Sequence, residues 1–115
     1  TAAPFRMMNE QKIMNLLSMA QRAGRVASGD FAVTKAVQGN KVHLLLVAGD
    51  ASAETRQRYE QMAARGKIKI VYLWDREQLG HCIGKDFRAV AAVMDAGFAN
   101  AIASFCPTEG ETGGD

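Results

Sequence analysis

The chain has 115 residues, 48% of them hydrophobic and 23% charged, with a net charge of +2, which is enough length and apolar content for one core and one domain. No run approaches the roughly 20 apolar residues of a membrane helix, and the opening Thr1-Ala2-Ala3-Pro4-Phe5-Arg6 lacks the basic-then-apolar order of a secretion signal. The expectation is a soluble, cytoplasmic, monomeric protein with no membrane partner; the absence of an initiator Met reads as trimming of a few residues or a leader and carries no functional weight.

Ile13, Leu16, Leu17 and Ala20 recur at i, i+3, i+4 and i+7, one face of a helix, with Asn9 available as its cap. Ala23-Gly24 closes it, and Arg22 suits the negative end of its dipole. Arg25-Val26-Ala27 is a short extended piece. Ser28-Gly29-Asp30 opens a second helix with Val33, Ala36 and Val37 inward, ending at Gln38-Gly39-Asn40. Val42 to Ala48 is apolar almost throughout, as in a strand covered on both faces. Ser52 to Arg65 is a long helix with Ala53, Tyr59, Met62 and Ala63 inward, terminated by Gly66. Ile68 to Leu73 is a second strand, and Asp75 with Gln78 forms a capping-box pair for a short helix carrying Leu79, Cys82 and Ile83. Ala89 to Met94 is a third strand; Phe98, Ala101, Ile102 and Phe105 define the closing helix. Buried strands alternating with helices imply a three-layer α/β/α sandwich around a mostly parallel sheet. Residues 1–8 read as an N-terminal extension, 9–105 as the single domain and 106–115 as a flexible acidic tail.

Signals for catalysis are thin. No P-loop, nucleophile elbow or GxGxxG following a strand is present. His43 falls inside an apolar strand and His81 beside Cys82 on a short helix, where adjacent side chains project apart, so both histidines read as structural or surface residues. Asp50, in Gly49-Asp50-Ala51-Ser52, reads as a helix cap. Cys82 and Cys106 lack the close spacing of zinc or redox sites, so reduced thiols and no metal or cofactor are expected.

Charge placement is more informative than its sum. Residues 1–41 hold Arg6, Lys12, Arg22, Arg25, Lys35 and Lys41 against Glu10 and Asp30, and part of the later negative charge sits in the tail. Two glycine-marked loops stand out. At Ser28-Gly29-Asp30 the unpaired amides of a helix start are accessible past a residue without a side chain, with Arg22, Arg25 and Lys35 near in sequence, an arrangement suited to phosphate; a plain helix cap with solvated cations is the alternative. At Gly84-Lys85-Asp86-Phe87-Arg88 a Phe between two cations offers a stacking surface for unpaired RNA bases, or else a Phe tucked into the core.

The blocks LLSMAQRAGRVASG (16–29), KAVQGNKVHLLLVAGDAS (35–52), LGHCIGKDFRAVAAV (79–93) and DAGFANAI (95–102) together resemble the kink-turn-binding ribosomal protein family that includes the archaeal large-subunit protein of the seven-Ae type, and within it the bacterial YlxQ-like branch. The resemblance implies a non-enzymatic RNA-binding protein with an α/β/α sandwich, no cofactor, and a ribosome or translation-factor association. It implies that Gly29 and Lys35 match the glycine-led turn and helix lysine that grip a kink-turn's sheared G·A pairs, with Asp30 inside that motif. Phe31 and Ala32 stand where the family has Asn and Glu, which removes the base-edge hydrogen bonds. Gly84, Lys85, Phe87 and Arg88 fall at the family's second RNA-contact loop, and Arg22 and Arg25 complete the expected RNA-binding set.

Overall fold

The computed structural model describes the backbone of residues 2–105 and the side chains of residues 10–105. The elements run α1 (Ala2–Arg22), β1 (Val26–Ser28), α2 (Asp30–Gln38), β2 (Leu44–Val47), α3 (Ala53–Gly66), β3 (Lys69–Tyr72), α4 (Arg76–Cys82), β4 (Val90–Val93) and α5 (Ala96–Ser104). The acidic tail and Cys106 lie outside the described residues.

The three layers are as expected. On one face α1, α4 and α5 pack Ile13, Leu17, Leu79, Ile83 and Ile102 onto Leu44, Leu46, Ala91 and Val93. On the other, α2 and α3 pack Val33, Ala36, Tyr59 and Ala63 onto Leu45, Val47, Val90 and Ala92. Alternate strand residues thus serve opposite cores, the period-2 rule for a sheet covered on both sides.

The sheet is mixed, which corrects the mostly parallel expectation. Its order is β1-β4-β2-β3; β2 and β3 are parallel (Leu45 opposite Ile70), but β4 runs antiparallel both to β2 (Leu45 opposite Ala92) and to β1 (Ala27 opposite Ala92). The cause lies in the segment before β4. The loop after α4 folds back along that helix, its Lys85 amide donating to Gly80 O (2.8 Å) and its Arg88 amide to Arg76 O (3.1 Å). The chain therefore returns to the edge where β3 ended and enters β4 in reverse. The ends of β1, β2 and β3 and the start of β4 gather at one edge of the sheet; the starts of β1, β2 and β3 and the end of β4 gather at the other.

Several local expectations shift for identifiable reasons. Helix α1 begins at Ala2 and passes through Asn9, which is therefore no cap; Pro4 sits in its first turn, where a missing N–H costs no helical bond. Its C-terminus closes with Gly24 N donating to Gln21 O and Arg25 N to Ala20 O, a Schellman pair. The short piece at Arg25-Val26-Ala27 is an edge strand of the sheet. Asp50 does not cap α3: Ser52 does, accepting from Thr55 N, while Asp50 accepts from Arg76 N (2.9 Å) and caps the first amide of α4 instead. Ala53 is exposed. Gly66 is the last residue of α3, and Lys67 takes the left-handed conformation (φ 55) that ends it. His43 lies exposed just before β2. The Asp75 cap of α4 is present, its carboxylate accepting from Gln78 N at 2.7 Å.

Candidate nucleic-acid interface

The turn from β1 into α2 is built around Gly29. Its φ of 85° is one that side-chain-bearing residues rarely adopt. Its amide donates to Val90 O (3.2 Å) and its carbonyl accepts from Val33 N, so the turn is tied to β4 on one side and begins α2 on the other. No side chain caps α2. The amides of Asp30, Phe31 and Ala32 find no acceptor among the described residues, which leaves the positive end of the helix dipole uncovered.

That helix start faces the 84–89 loop. Ser28, Gly29, Phe31 and Ala32 on one side and Phe87, Arg88 and Ala89 on the other line an open groove of about 500 Å³. Arg88 closes its floor, with Nε donating to Ser28 Oγ (3.3 Å) and a terminal nitrogen to Phe87 O (2.7 Å). Phe87 is 62% exposed and Phe31 81%, so neither is a core residue and both apolar rings border the groove. Lys35 shares the exposed face of α2 with Phe31, one turn further on. Gly84 (φ 74) and Lys85 lie on the far side of Phe87; Lys85 borders a second hollow with His81, Asp86 and the start of α4.

Two parts of the expected set are placed otherwise. Arg22 and Arg25 precede β1, whose far end carries Gly29, so they sit at the opposite edge of the sheet, about 10 Å away along the strand. Strand geometry separates what the sequence sets side by side. The Asp30 carboxylate turns away from its own helix start toward α3, where it accepts from Tyr59 Oη (2.6 Å) and pairs with Arg58 (3.2 Å). The phenol is pushed up to about 12, first by burial and then by its hydrogen bond to Asp30.

Gly80 was not singled out by its sequence context, yet the groove depends on it. A Cβ there would lie 2.6 Å from Asp86 O and 3.1 Å from Phe87 Cα. Its absence lets the backbone of Asp86 and Phe87 lie directly on α4. The available signal was a glycine inside a helical pattern, which disfavours the helix by about 1 kcal/mol and so asks for a packing reason.

Over residues 11–103 the chain matches the Ribosomal protein L7Ae/L30e/S12e/Gadd45 family. It belongs to that family. Among its relatives, the RNA-binding protein YlxQ of Bacillus subtilis is 37% identical over 77% of this chain and 89% of its own length. The YlxQ of Enterococcus faecium is 31% identical over 79% and 87%, and the large ribosomal subunit protein eL8 of Halobacterium salinarum 29% over 76% and 75%. A solved structure of a Bacillus halodurans protein of unknown function superposes with a TM-score of 0.78 at 34% identity, over 82% of this chain and 95% of that one. The Giardia lamblia 15.5kD RNA binding protein superposes at 0.73 with 18% identity, over 85% and 84%, and shares the fold. The family assignment and the α/β fold thus agree with the sequence motifs.

Proposed function

We propose that the protein binds structured RNA, without catalysis or cofactor, in a ribosome-associated role, and that the groove between Gly29 and Arg88 is where it does so. The observation that carries this reading is the uncapped start of α2: three amides without acceptors open beside two exposed aromatic rings and an arginine. Amides and Arg88 suit phosphate or base-edge acceptors; Phe31 and Phe87 suit the faces of unpaired bases. Relatives named as RNA-binding proteins and as a ribosomal subunit protein support the same direction.

The binding differs from standard kink-turn recognition. With Phe31 and Ala32 where the resemblance expects Asn and Glu, base-edge hydrogen bonds give way to stacking, which tolerates sequence. RNA with unpaired nucleotides should therefore bind better than a straight duplex at the groove. Titrations of kink-turn, bulged and straight RNAs at several salt concentrations test this. Phe31→Ala and Phe87→Ala should each weaken binding to bulged RNA by roughly 1–3 kcal/mol, and the pair Phe31→Asn with Ala32→Glu should improve kink-turn discrimination by a similar amount. Absence of binding to every RNA at low salt sinks the proposal. It would favour the second reading, a protein-docking surface on the same fold, for which the 81% exposure of Phe31 is the motivating observation.

A further inference from the structure

The edge of the sheet opposite the groove carries a different chemistry. The starts of β1, β2 and β3 and the ends of α1, α2 and α3 meet there. They bring together Arg22, Arg25, Lys41, Arg65, Lys67 and Lys69, cations from three separate stretches of sequence, and all six are exposed. The described ion pairs, Arg58–Asp30 and Arg76–Asp50, involve none of them, and neither do the described cation–ring contacts. Among the described residues the carboxylate at this edge is Asp95, whose Oδ2 accepts from the Phe98 amide at 2.9 Å. At the groove edge, in contrast, Asp30, Asp50, Glu54, Asp75, Glu77 and Asp86 offset Arg56, Arg58, Arg76, Lys85 and Arg88.

Helix dipoles explain part of this segregation, since Arg22 and Arg65 lie in the last turns of α1 and α3. They do not explain the rest. Arg25 and Lys41 lie beyond helix ends, Lys67 occupies a left-handed position where Asn or Gly is the ordinary choice, and Lys69 opens a strand. Holding six like charges together beside a single described carboxylate, Asp95, disfavours the isolated protein. A polyanion relieves that repulsion.

We propose that this edge is a second RNA-contact face, one that takes the phosphate backbone of a double-helical segment without reading its sequence. From β1 to β3 the edge crosses three strand spacings, about 14 Å. A nucleic-acid duplex presents roughly one phosphate per 1.7 Å of axis, so phosphates are dense enough to engage all six cations. Among the described residues the exposed apolar rings Phe31, Tyr72 and Phe87 belong to the groove edge, and the ring exposed at the basic edge is the His43 imidazole, so this face offers no apolar stacking surface for a base. The groove would therefore select an unpaired nucleotide while the basic edge, on the far side of the molecule, holds a duplex.

The test uses a perfectly paired RNA duplex, with no bulge for the groove to take, and measures affinity against salt. Replacing Lys41→Gln, Lys67→Asn and Lys69→Gln together removes three contacts; asparagine accepts the left-handed backbone at position 67, so the fold is kept. The expected result is a log–log salt slope flatter by roughly two to three and weaker duplex binding. The variant Arg22→Gln with Arg25→Gln should flatten it by roughly two. An unchanged slope in both edge variants overturns the inference. So does a wild-type protein that binds bulged RNA but not the duplex, an outcome that leaves the groove reading intact, or one that binds anionic phospholipid vesicles in preference to duplex RNA.

Discussion

Gly80 and Tyr59 carry single-residue tests of the groove. A methyl group at Gly80 would stand 2.6 Å from a backbone oxygen, too close for either atom to remain. Gly80→Ala should therefore lift the 84–89 loop off α4, despite alanine's better helix propensity. Overpacking of this kind disfavours the fold by roughly 1–3 kcal/mol; thermal melts read that loss, and bulged-RNA titration reads the displaced Phe87. Tyr59 acts from below, holding the Asp30 carboxylate off the start of α2. Its phenol titrates near 10 when unfolded and near 12 in the fold, so rising pH deprotonates the unfolded chain first. The stability this group contributes is complete below pH 10 and disappears between pH 10 and 12. Denaturant melts across that window should show a decline that Tyr59→Phe lacks, on a protein about 1 kcal/mol less stable at neutral pH. Neither role was legible from sequence: Gly80 meets a loop whose path is set by tertiary bonds, and the Asp30–Tyr59 bond joins residues 29 apart.

At the level of elements, α4 is the support on which the proposed interface rests. Its first turn is secured twice, by the Asp75 carboxylate on Gln78 N and by the Asp50 carboxylate on Arg76 N. Its Arg76 carbonyl then anchors the returning loop at Arg88. Asp75→Ala should cost about 1 kcal/mol of stability and also speed amide hydrogen exchange in the 84–89 loop. The helices themselves were legible because 3.6-residue periodicity is local: Ile13, Leu17 and Ala20 are buried as that spacing requires, and the Asp75 half of the capping box is present, while the Gln78 side chain turns to Met14 Sδ instead of closing it. The strand character of Val26–Ser28 was not, since three residues carry no pattern and their partner β4 lies more than sixty residues on. Asp50 was read as a cap from its neighbours and is one, but for a helix 26 residues away.

For the whole molecule, alternation of strands and helices was enough to give the layers and not enough to give strand direction. The reversal of β4 depends on the loop doubling back along α4, which the hydrophobic pattern does not record. Direction in turn decided the site. Phe31, Phe87 and Arg88 meet because β4 begins where β1 ends, and Arg22 and Arg25 fall away for the same reason. Among the described residues, the separation of six cations without ion-pair partners from a charge-balanced groove gives the protein an electric moment along its strands. Approaching a polyphosphate, it would be turned basic end first before any surface touches. The aromatic groove then arrives pointing outward, toward whatever part of the same RNA bends around to reach it.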